Sequence, residues 1–172
     1  MPAKTRTSIL ALRTTWGEWR VEHDRAVVLS IQFPPKPPRE AKPLRVLGRV
    51  RPELQWLADF LEAYGSKRPQ QVTTPRLPSW GTDFQRAVWR ELGRIPFGQV
   101  RSYGEIAGKV KRSGASRAVG TACGSNPWPM LIPCHRVVRS DLSTGGFSGG
   151  PGWKKWLLKF EGHEGTKSPS HA

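Results

Sequence analysis

Cysteine is scarce in this chain of 172 residues, where it occurs only as Cys123 and Cys134. Two cysteines are too few for the disulfide framework of a small secreted domain, so the sequence predicts a reducing location: the cytoplasm, in association with the nucleoid, or the nucleus if the protein is eukaryotic. The four histidines are scattered, and the sequence contains neither a Cys-x-x-Cys nor a His-x-x-x-His spacing. We therefore expect no structural zinc and no other bound metal.

Long hydrophobic runs and acidic residues are also in short supply. The longest apolar stretches, such as residues 9–12, are far shorter than the roughly 20 residues that span a bilayer, and too short for a signal-peptide core. Only 13 Asp and Glu stand against 28 Lys and Arg, which leaves a formal net charge of +15. This excess favours a polyanionic partner, either nucleic acid or an anionic membrane surface, over a charge that serves solubility alone.

The first 75 residues have the pattern of a small α/β domain. Short runs rich in Val, Ile, Leu and Trp predict strands over 8–12, 17–22 and 26–33. Prolines within residues 34–38 end regular structure, because proline fixes φ and lacks an N–H donor. Apolar residues at helical spacing predict a helix from Pro52 to Tyr64, which Gly65 is placed to end. A proline-rich linker is expected to run to about residue 79.

Residues 80–165 predict a second, mostly helical domain. Helices are expected after a cap at Thr82 or Asp83, over Tyr103–Val110 after the cap Ser102, over Ala115–Gly124, and over Trp153–Phe160. The second and third of these helices, joined by a glycine-containing turn, have the outline of a helix-turn-helix. An apolar, strand-like segment is expected over Leu131–Val138, interrupted by Pro133-Cys134-His135-Arg136. The polar residues 166–172 are expected to form a disordered tail.

Cys134 is the candidate nucleophile of the chain. It follows Pro133, which stiffens the backbone, and precedes His135, which could take its proton. A cysteine is a strong nucleophile only as a thiolate, so a nearby base or positive charge must lower its pKa. Because neighbouring side chains of a strand point to opposite faces, the proton could pass through a water molecule, and Glu161 is a candidate to orient the imidazole. The Cys-His pair alone is also compatible with a small buried hydrophobe.

The residues around Cys134 match a known signature. The run Ile132-Pro133-Cys134-His135-Arg136-Val137 resembles the active-site motif of the O6-alkylguanine-DNA alkyltransferases. Further blocks similar to that family, in its order, are Gly81-Thr82-Asp83-Phe84-Gln85, Val88-Trp89, Ile95-Pro96, Ser102-Tyr103, Ile106-Ala107, Arg117-Ala118-Val119-Gly120, Asn126-Pro127, Gly146-Phe147-Ser148-Gly149-Gly150 and Trp156-Leu157-Leu158. The resemblance covers about residues 79–162, whereas the N-terminal part is similar only in its strand-then-helix layout.

The resemblance implies a fold and a reaction. The implied fold is an α/β N-terminal domain, ribonuclease H-like with an antiparallel sheet plus a helix, followed by a mostly α C-terminal domain with a DNA-binding helix-turn-helix. The implied reaction is DNA repair by direct reversal, in which an alkyl group moves once from the O6 oxygen of guanine to Cys134, without a cofactor. The implied partner is double-stranded DNA containing O6-alkylguanine, bound from the minor groove with the damaged base flipped out. We expect a monomer with no membrane partner.

The resemblance also implies roles for individual residues. Cys134 corresponds to the alkyl acceptor, His135 to the base that acts through water, Glu161 to the acid that completes the relay, and Tyr103 to the tyrosine that rotates the phosphate and hydrogen-bonds the guanine. Arg117 corresponds to the arginine that fills the duplex after base flipping, with Ser102, Ala118 and Gly120 as further DNA-binding positions. Asn126 corresponds to a hinge, and Val137, Phe147 and Ser148 to the base pocket. Many members have tyrosine where this chain has Phe147.

Two functions of other classes compete with repair. A non-catalytic protein that binds alkyl lesions is one alternative, but relatives of that kind lack the cysteine that stands here as Cys134. A helix-turn-helix transcription regulator is the other, although the Cys-His signature would then have no purpose. Among the individual residues, Cys123 is expected to lie in the core, and Tyr103 and Arg117 could each be ordinary helix residues.

Overall fold

The computed structural model describes residues 7–24, 27–40, 42–69, 78–150 and 152–163. The chain divides into two compact units, Met1–Pro75 and Arg76–Ala172. The predicted tail over 166–172 and most of the predicted linker lie outside the described residues. Within the described parts of the chain, no helix is long and apolar enough to cross a membrane.

In its described residues, the first unit contains an antiparallel sheet and an α-helix, which a 3-10 turn over Pro52–Leu54 precedes. Its strands are β1 (Ser8–Thr14), β2 (Gly17–Asp24) and β3 (Val27–Gln32), paired in the order β1-β2-β3, and its helix is α1 (Gln55–Gly65). Alternation along the strands buries residues such as Leu12 and Trp19 and exposes their neighbours. The buried ring of Tyr64, on α1, meets Trp16 edge-on with 6.1 Å between centroids. The strands and the helix predicted here are confirmed, with small shifts at their ends.

Gly65 ends α1, as predicted, but it does so without a left-handed conformation. Gly65 is the last residue of the helix, and the left-handed conformation occurs at Lys67, with φ of 59°. A Cβ atom at Gly65 would lie 2.6 Å from both the Cβ atom and the backbone nitrogen of Leu44. Glycine is therefore needed for the close approach of another backbone segment, and not for its freedom in φ.

The second unit is mostly helical. Its elements are α2 (Asp83–Gly93), β4 (Arg101–Ser102), α3 (Tyr103–Lys109), α4 (Ser116–Gly124), β5 (Val137–Val138) and α5 (Trp153–Phe160). The predicted caps are present: Thr82 forms a capping box with Gln85, and Ser102 forms one with Glu105. The indole of Trp89 on α2 donates to the carbonyl of Ala122 on α4 at 2.8 Å, which fixes these helices against each other.

The interruption predicted at residues 133–136 of the strand-like segment Leu131–Val138 is present, and the extended part of the segment is shorter than predicted. Cys134–Arg136 form a single 3-10 turn, and only Val137–Val138 are extended. Pro133 starts this turn by accepting a hydrogen bond from Arg136 N at 2.9 Å. The two residues of β5 then pair in parallel with β4, Arg101 opposite Val137 and Ser102 opposite Val138. This pairing places Tyr103, the first residue of α3, next to the segment that carries Cys134.

Candidate active site

A cavity of about 720 Å³ lies in the second unit. Its wall is formed by the start of α3, one side of α4, and the loop residues 139–141 and 145–148, together with Cys134. Cys134 is 3% exposed, so its thiol faces the cavity from an otherwise buried position. A cavity of this size is in the range that takes a small organic molecule such as a purine base.

Asn126 holds the Cys134 thiol in place. Its side-chain nitrogen Nδ2 donates to Cys134 Sγ at 3.1 Å and to the carbonyl of Ile132 at 2.7 Å. Its Oδ1 accepts from the backbone N–H of Trp128 at 3.0 Å, which sets the orientation of the amide. The sequence assigned a hinge role to Asn126, and the structure adds a direct hydrogen bond to the sulfur.

Behind Cys134 lies a fully buried pair of His135 and Glu161. Imidazole Nε2 and carboxylate Oε1 are 2.8 Å apart, and both side chains have no exposed surface. This hydrogen bond leaves Nδ1 as the ring nitrogen that can exchange a proton elsewhere. The 3-10 turn brings the two residues together across 26 positions of the chain, and the C-terminal end of α5 positions Glu161.

Arg136 is a functional residue that the sequence reasoning left without a role. Its Nε and Nη2 donate to the two oxygens of Glu161 at 2.8 and 2.9 Å, and its Nη1 donates to the carbonyl of Ile95 at 2.7 Å. The backbone N–H of Gly98 also donates to Glu161 at 3.1 Å. The only signal of this role in the sequence was an arginine inside an apolar run. The two-point hydrogen bonding of Arg136 to Glu161, called the fork from here on, keeps the carboxylate ionised and immobile.

These contacts set the protonation states of His135 and Glu161, which together are called the relay. Burial alone would raise the pKa of Glu161, but its bonds to His135 and Arg136 outweigh burial and hold that pKa well below its usual range. Burial lowers the pKa of His135, against the opposing effect of Glu161. The imidazole is therefore neutral near pH 7 and able to accept a proton.

The pKa of Cys134 is raised, whereas a lowered pKa was expected for a nucleophile. Burial raises the pKa of this thiol, and the hydrogen bond from Asn126 and the charge of Lys154 compensate only in part. The reason is that a thiolate loses more by leaving water than it gains from one neutral donor and one cation. Cys134 is thus a thiol at rest, and it needs the neutral His135 as a proton acceptor.

Lys154 is a second residue that sequence reasoning missed. It lies on α5 and is only 4% exposed, and its Nζ donates to Tyr103 Oη at 3.3 Å and to the carbonyl of Gly146 at 3.4 Å. The same Nζ stands 5.5 Å from the centre of the Tyr103 ring. Burial lowers the pKa of Lys154 to about 8 and raises the pKa of Tyr103 to about 12. The tyrosine therefore remains a hydrogen-bond donor at neutral pH.

The other predicted site residues are divided between the cavity and its surroundings. Ser102, Arg117, Gly120, Phe147 and Ser148 line the cavity, Ala118 is exposed on α4, and Val137 is buried in β5 outside the cavity wall. The hydroxyl of Ser102 already accepts from Glu105 N as the cap of α3. Gly120 faces the ring of Tyr103, where a Cβ would lie 3.8 Å away in ordinary van der Waals contact.

Cys123 was expected in the core, and the structure refines that expectation. The residue is 8% exposed, and it lines the same cavity as Cys134. Burial raises the pKa of its thiol to about 12. In the described parts of the chain, no group of three His, Cys, Asp or Glu side chains is placed to hold a metal ion.

Comparisons with known proteins agree on one family. A family model for the DNA-binding domain of 6-O-methylguanine DNA methyltransferase matches residues 83–163. The methylated-DNA–protein-cysteine methyltransferase of Shigella flexneri is 44% identical over 107 residues, which are 62% of this chain and 63% of that protein. Its counterpart in Mycobacterium bovis is 49% identical over 81 residues, which are 47% of this chain and 49% of that protein. The matched segment thus spans less than two thirds of these relatives.

Solved structures extend the similarity over most of the chain. The crystal structure of Mycobacterium tuberculosis OGT in complex with DNA is 33% identical, with a TM-score of 0.67, and the match covers 87% of this chain and 91% of that one. The O6-methylguanine methyltransferase of the same organism is 29% identical, with a TM-score of 0.69 and coverage of 90% and 92%. The antiparallel sheet and the helices described above are therefore those of an alkyltransferase fold.

Proposed function

The chain belongs to the O6-methylguanine-DNA methyltransferase family, and on that premise we propose that it repairs DNA by moving an alkyl group from guanine O6 to Cys134. One observation carries the proposal: a buried thiol faces a cavity of base size, while a buried His135–Glu161 pair lies behind it. Cys134 is a thiol and the neighbouring imidazole is neutral. This arrangement suits a nucleophile that gives up its proton to the imidazole only when substrate occupies the cavity.

The proposed reaction begins with proton transfer. The Cys134 thiol gives its proton, through one water molecule, to Nδ1 of His135. The imidazolium that forms is stabilised by Glu161, whose own charge Arg136 compensates. Because the relay is closed to solvent, these interactions are stronger than they would be in water.

Displacement follows on the carbon attached to guanine O6. The thiolate forms a C–S bond as the C–O6 bond breaks, and the electron pair of that bond leaves with the base as a guanine anion. The hydroxyl of Tyr103, with Lys154 beside it, donates to the purine ring and stabilises the departing charge. Atoms and charge balance without a cofactor. A thioether has no leaving-group route back to the thiol, so each molecule reacts once.

We further propose that α3 and α4 act as a helix-turn-helix on duplex DNA, approached from the minor groove. Arg117 and Ala118 are exposed near the start of α4, and Arg117 also lines the cavity, so its side chain is near the place where an extruded base would enter. Extrusion costs a few kcal/mol, and a planar guanidinium in the vacated stack offsets part of that cost. We infer a ribonuclease H-like first unit from its antiparallel sheet and helix, and a monomeric protein.

The proposal is tested by intact-mass measurement after mixing with a duplex that contains O6-methylguanine. We expect a gain of one methyl group per protein molecule, located on Cys134 by peptide mapping, with no further turnover. Binding of the damaged duplex without any mass gain would instead identify a non-catalytic lesion-binding protein. Methylation at Cys123 would contradict the assigned nucleophile.

The role of Arg117 is tested by comparing two substrates. Arg117→Ala should slow transfer from duplex DNA by about tenfold or more, because each 1.4 kcal/mol or so of uncompensated extrusion is about a factor of ten. Transfer from free O6-benzylguanine, which needs no flipping, should remain near the wild-type rate. Arg90→Ala, on the exposed surface of α2, is the matched control. Equal slowing of both substrates by Arg117→Ala would mean that the arginine supports the cavity.

A further inference from the structure

The loop between β3 and α1 carries a positive charge that the alkyl-transfer site does not use. Residues 36–51, called the basic loop from here on, contain six Lys and Arg residues but one acidic residue, Glu40. All six cationic side chains are exposed. Arg51 pairs with Glu53 at 3.2 Å, and within the described residues no acidic side chain forms an ion pair with the other five.

The basic loop is held firmly on the first unit. Its Leu44 is 1% exposed, and its Lys42 carbonyl accepts from the indole of Trp16 at 2.7 Å. The N–H of Val46 donates to the carboxylate of Glu62 on α1 at 3.0 Å. Anchors of this kind fix the backbone, so its exposed side chains keep their spacing when a partner binds, and less entropy is lost on binding.

Local β pairing directs part of this charge to one face. Thr14 and Val46 form an antiparallel bridge, which is flanked by hydrogen bonds from Thr15 N to Arg45 O at 2.9 Å and from Leu47 N to Arg13 O at 2.8 Å. Side chains alternate across such a ladder, so Arg13 and Arg45 lie on the exposed face while Thr14 is buried. Their guanidinium groups add to those of the rest of the basic loop.

Gly48 continues this face. Its φ is +82°, and a Cβ built there would be 4.0 Å from Arg13 Nη2, so the Arg13 side chain lies alongside the turn that leads to Arg49. Glu18 is paired opposite Arg13 on β2 and offsets part of its charge. Of the five cations of the basic loop without an ion-pair partner among the described residues, Lys42, Arg45 and Arg49 lie nearest in sequence to the bridge at Val46.

We propose that the basic loop is a second binding surface for the phosphate backbone of DNA, separate from α3 and α4. Arginine binds phosphate through two parallel N–H donors, and several exposed cations on one anchored loop can contact several phosphates of a polynucleotide. An anionic membrane would also attract the charge, but surface-binding segments add a broad apolar face, and in the basic loop only Leu47 is a large exposed hydrophobic residue. The proposal takes its partner class from the proposed function but needs no alkyl transfer.

The test uses the full chain and undamaged duplex DNA. The triple variant Lys42→Gln, Arg45→Gln, Arg49→Gln removes three proposed phosphate contacts. The fall of log affinity with log salt should then become shallower, by about 2 to 3 in slope, since each contact contributes about 0.9. Affinity at low salt should fall by about tenfold or more. Transfer from free O6-benzylguanine should be unchanged, because that substrate has no phosphate.

Two matched variants separate local from overall charge. Arg68→Gln, Arg90→Gln and Lys159→Gln together remove the same charge from exposed positions outside the basic loop, and should leave the slope close to the wild-type value. Lys42→Arg, Arg45→Lys and Arg49→Lys together keep the charge of the basic loop and should also keep the slope.

Two results would overturn the proposal. One is an equal fall in slope for both neutralised variants, which would mean that only overall charge matters. The other is unchanged DNA binding together with lost binding to phosphatidylserine vesicles, which would assign the basic loop to membranes. Loss of alkyl transfer with normal, loop-dependent DNA binding would refute the proposed function and leave this inference standing.

Discussion

Two cysteines face one cavity, and their surroundings differ. Cys134, in the turn after Pro133, is 3% exposed, and its sulfur accepts a hydrogen bond from Asn126. Cys123, in the last turn of α4, is 8% exposed, and its carbonyl accepts from the backbone N–H of the same Asn126 at 3.2 Å. Burial raises the pKa of both thiols, and the charge of Lys154 acts on both in the opposite direction.

The comparison shows that neither exposure nor a nearby cation selects the nucleophile. What distinguishes Cys134 is a hydrogen-bond donor aimed at its sulfur and a neutral imidazole beside it in sequence, oriented by Glu161. A buried thiol becomes reactive when its proton has a place to go. The following four experiments test this explanation, beginning with the largest expected effect.

Replacement of Cys134 and replacement of Cys123 should have different effects on the rate of alkyl transfer. Cys134→Ser should abolish transfer from O6-methylguanine DNA while DNA binding is retained, whereas Cys123→Ser should keep the transfer rate within about threefold, because only Cys134 adjoins the relay. Single-turnover rates and peptide mapping provide the measurement. Residual transfer in Cys134→Ser, with the methyl group on Cys123, would show that the cavity alone activates a thiol.

Replacement of His135, the proposed general base, should slow alkyl transfer by about 10² to 10⁴-fold, which is the usual contribution of a positioned general base. In His135→Ala the thiol must lose its proton to hydroxide, so the remaining rate should rise about tenfold per pH unit. Added imidazole should restore part of the activity by occupying the vacated space. His163→Ala is the matched control, and equal losses in both variants would contradict a specific role for His135.

Lys154→Met should slow transfer by about tenfold and stabilise the fold. The pKa of Lys154 is lowered from 10.5 to about 8, so burial of its charge costs about 3 kcal/mol at neutral pH, at about 1.4 kcal/mol per pKa unit. The folded pKa lies below the unfolded one, so this cost is complete below pH 8 and declines as pH rises from 8 to 10.5. Denaturant unfolding at pH 7 and pH 10 measures the difference, and a variant that is less stable than wild type at pH 7 would refute the prediction.

Gly145→Ala should change which alkyl group is accepted, and not which cysteine reacts. Gly145 has φ of +62°, and a Cβ there would lie 3.1 Å from Tyr103 Oη, so the added methyl group takes space in the cavity wall and the tyrosine must shift. Benzyl transfer should slow by about tenfold while methyl transfer changes by less than about threefold, because small groups tolerate a narrower cavity. Gly146→Ala, where a Cβ would meet nothing within 4 Å, is the control. Equal slowing of the two substrates would point to loss of the fold.

Several features were predictable because they depend on neighbours in the chain. The capping boxes at Thr82 and Ser102 satisfy N–H groups three residues away, and the apolar spacing of α5 is a property of the helix itself. The signature around Cys134 likewise identified the candidate nucleophile and its base. The end of α1 at Gly65 was predicted, but the close approach of Leu44, which requires glycine at that position, is recorded by no local pattern.

The sequence by itself therefore determined the helices, the excess positive charge and the candidate chemistry of Cys134. Only the tertiary structure decided that Arg136 and Glu161 form a buried fork, that Lys154 reaches Tyr103, and that Cys123 shares the cavity. It also decided the direction of the pKa of Cys134, which burial raises. Propensity and capping act over a few residues, whereas burial and charge pairing join residues far apart in the chain, and these long-range terms set protonation.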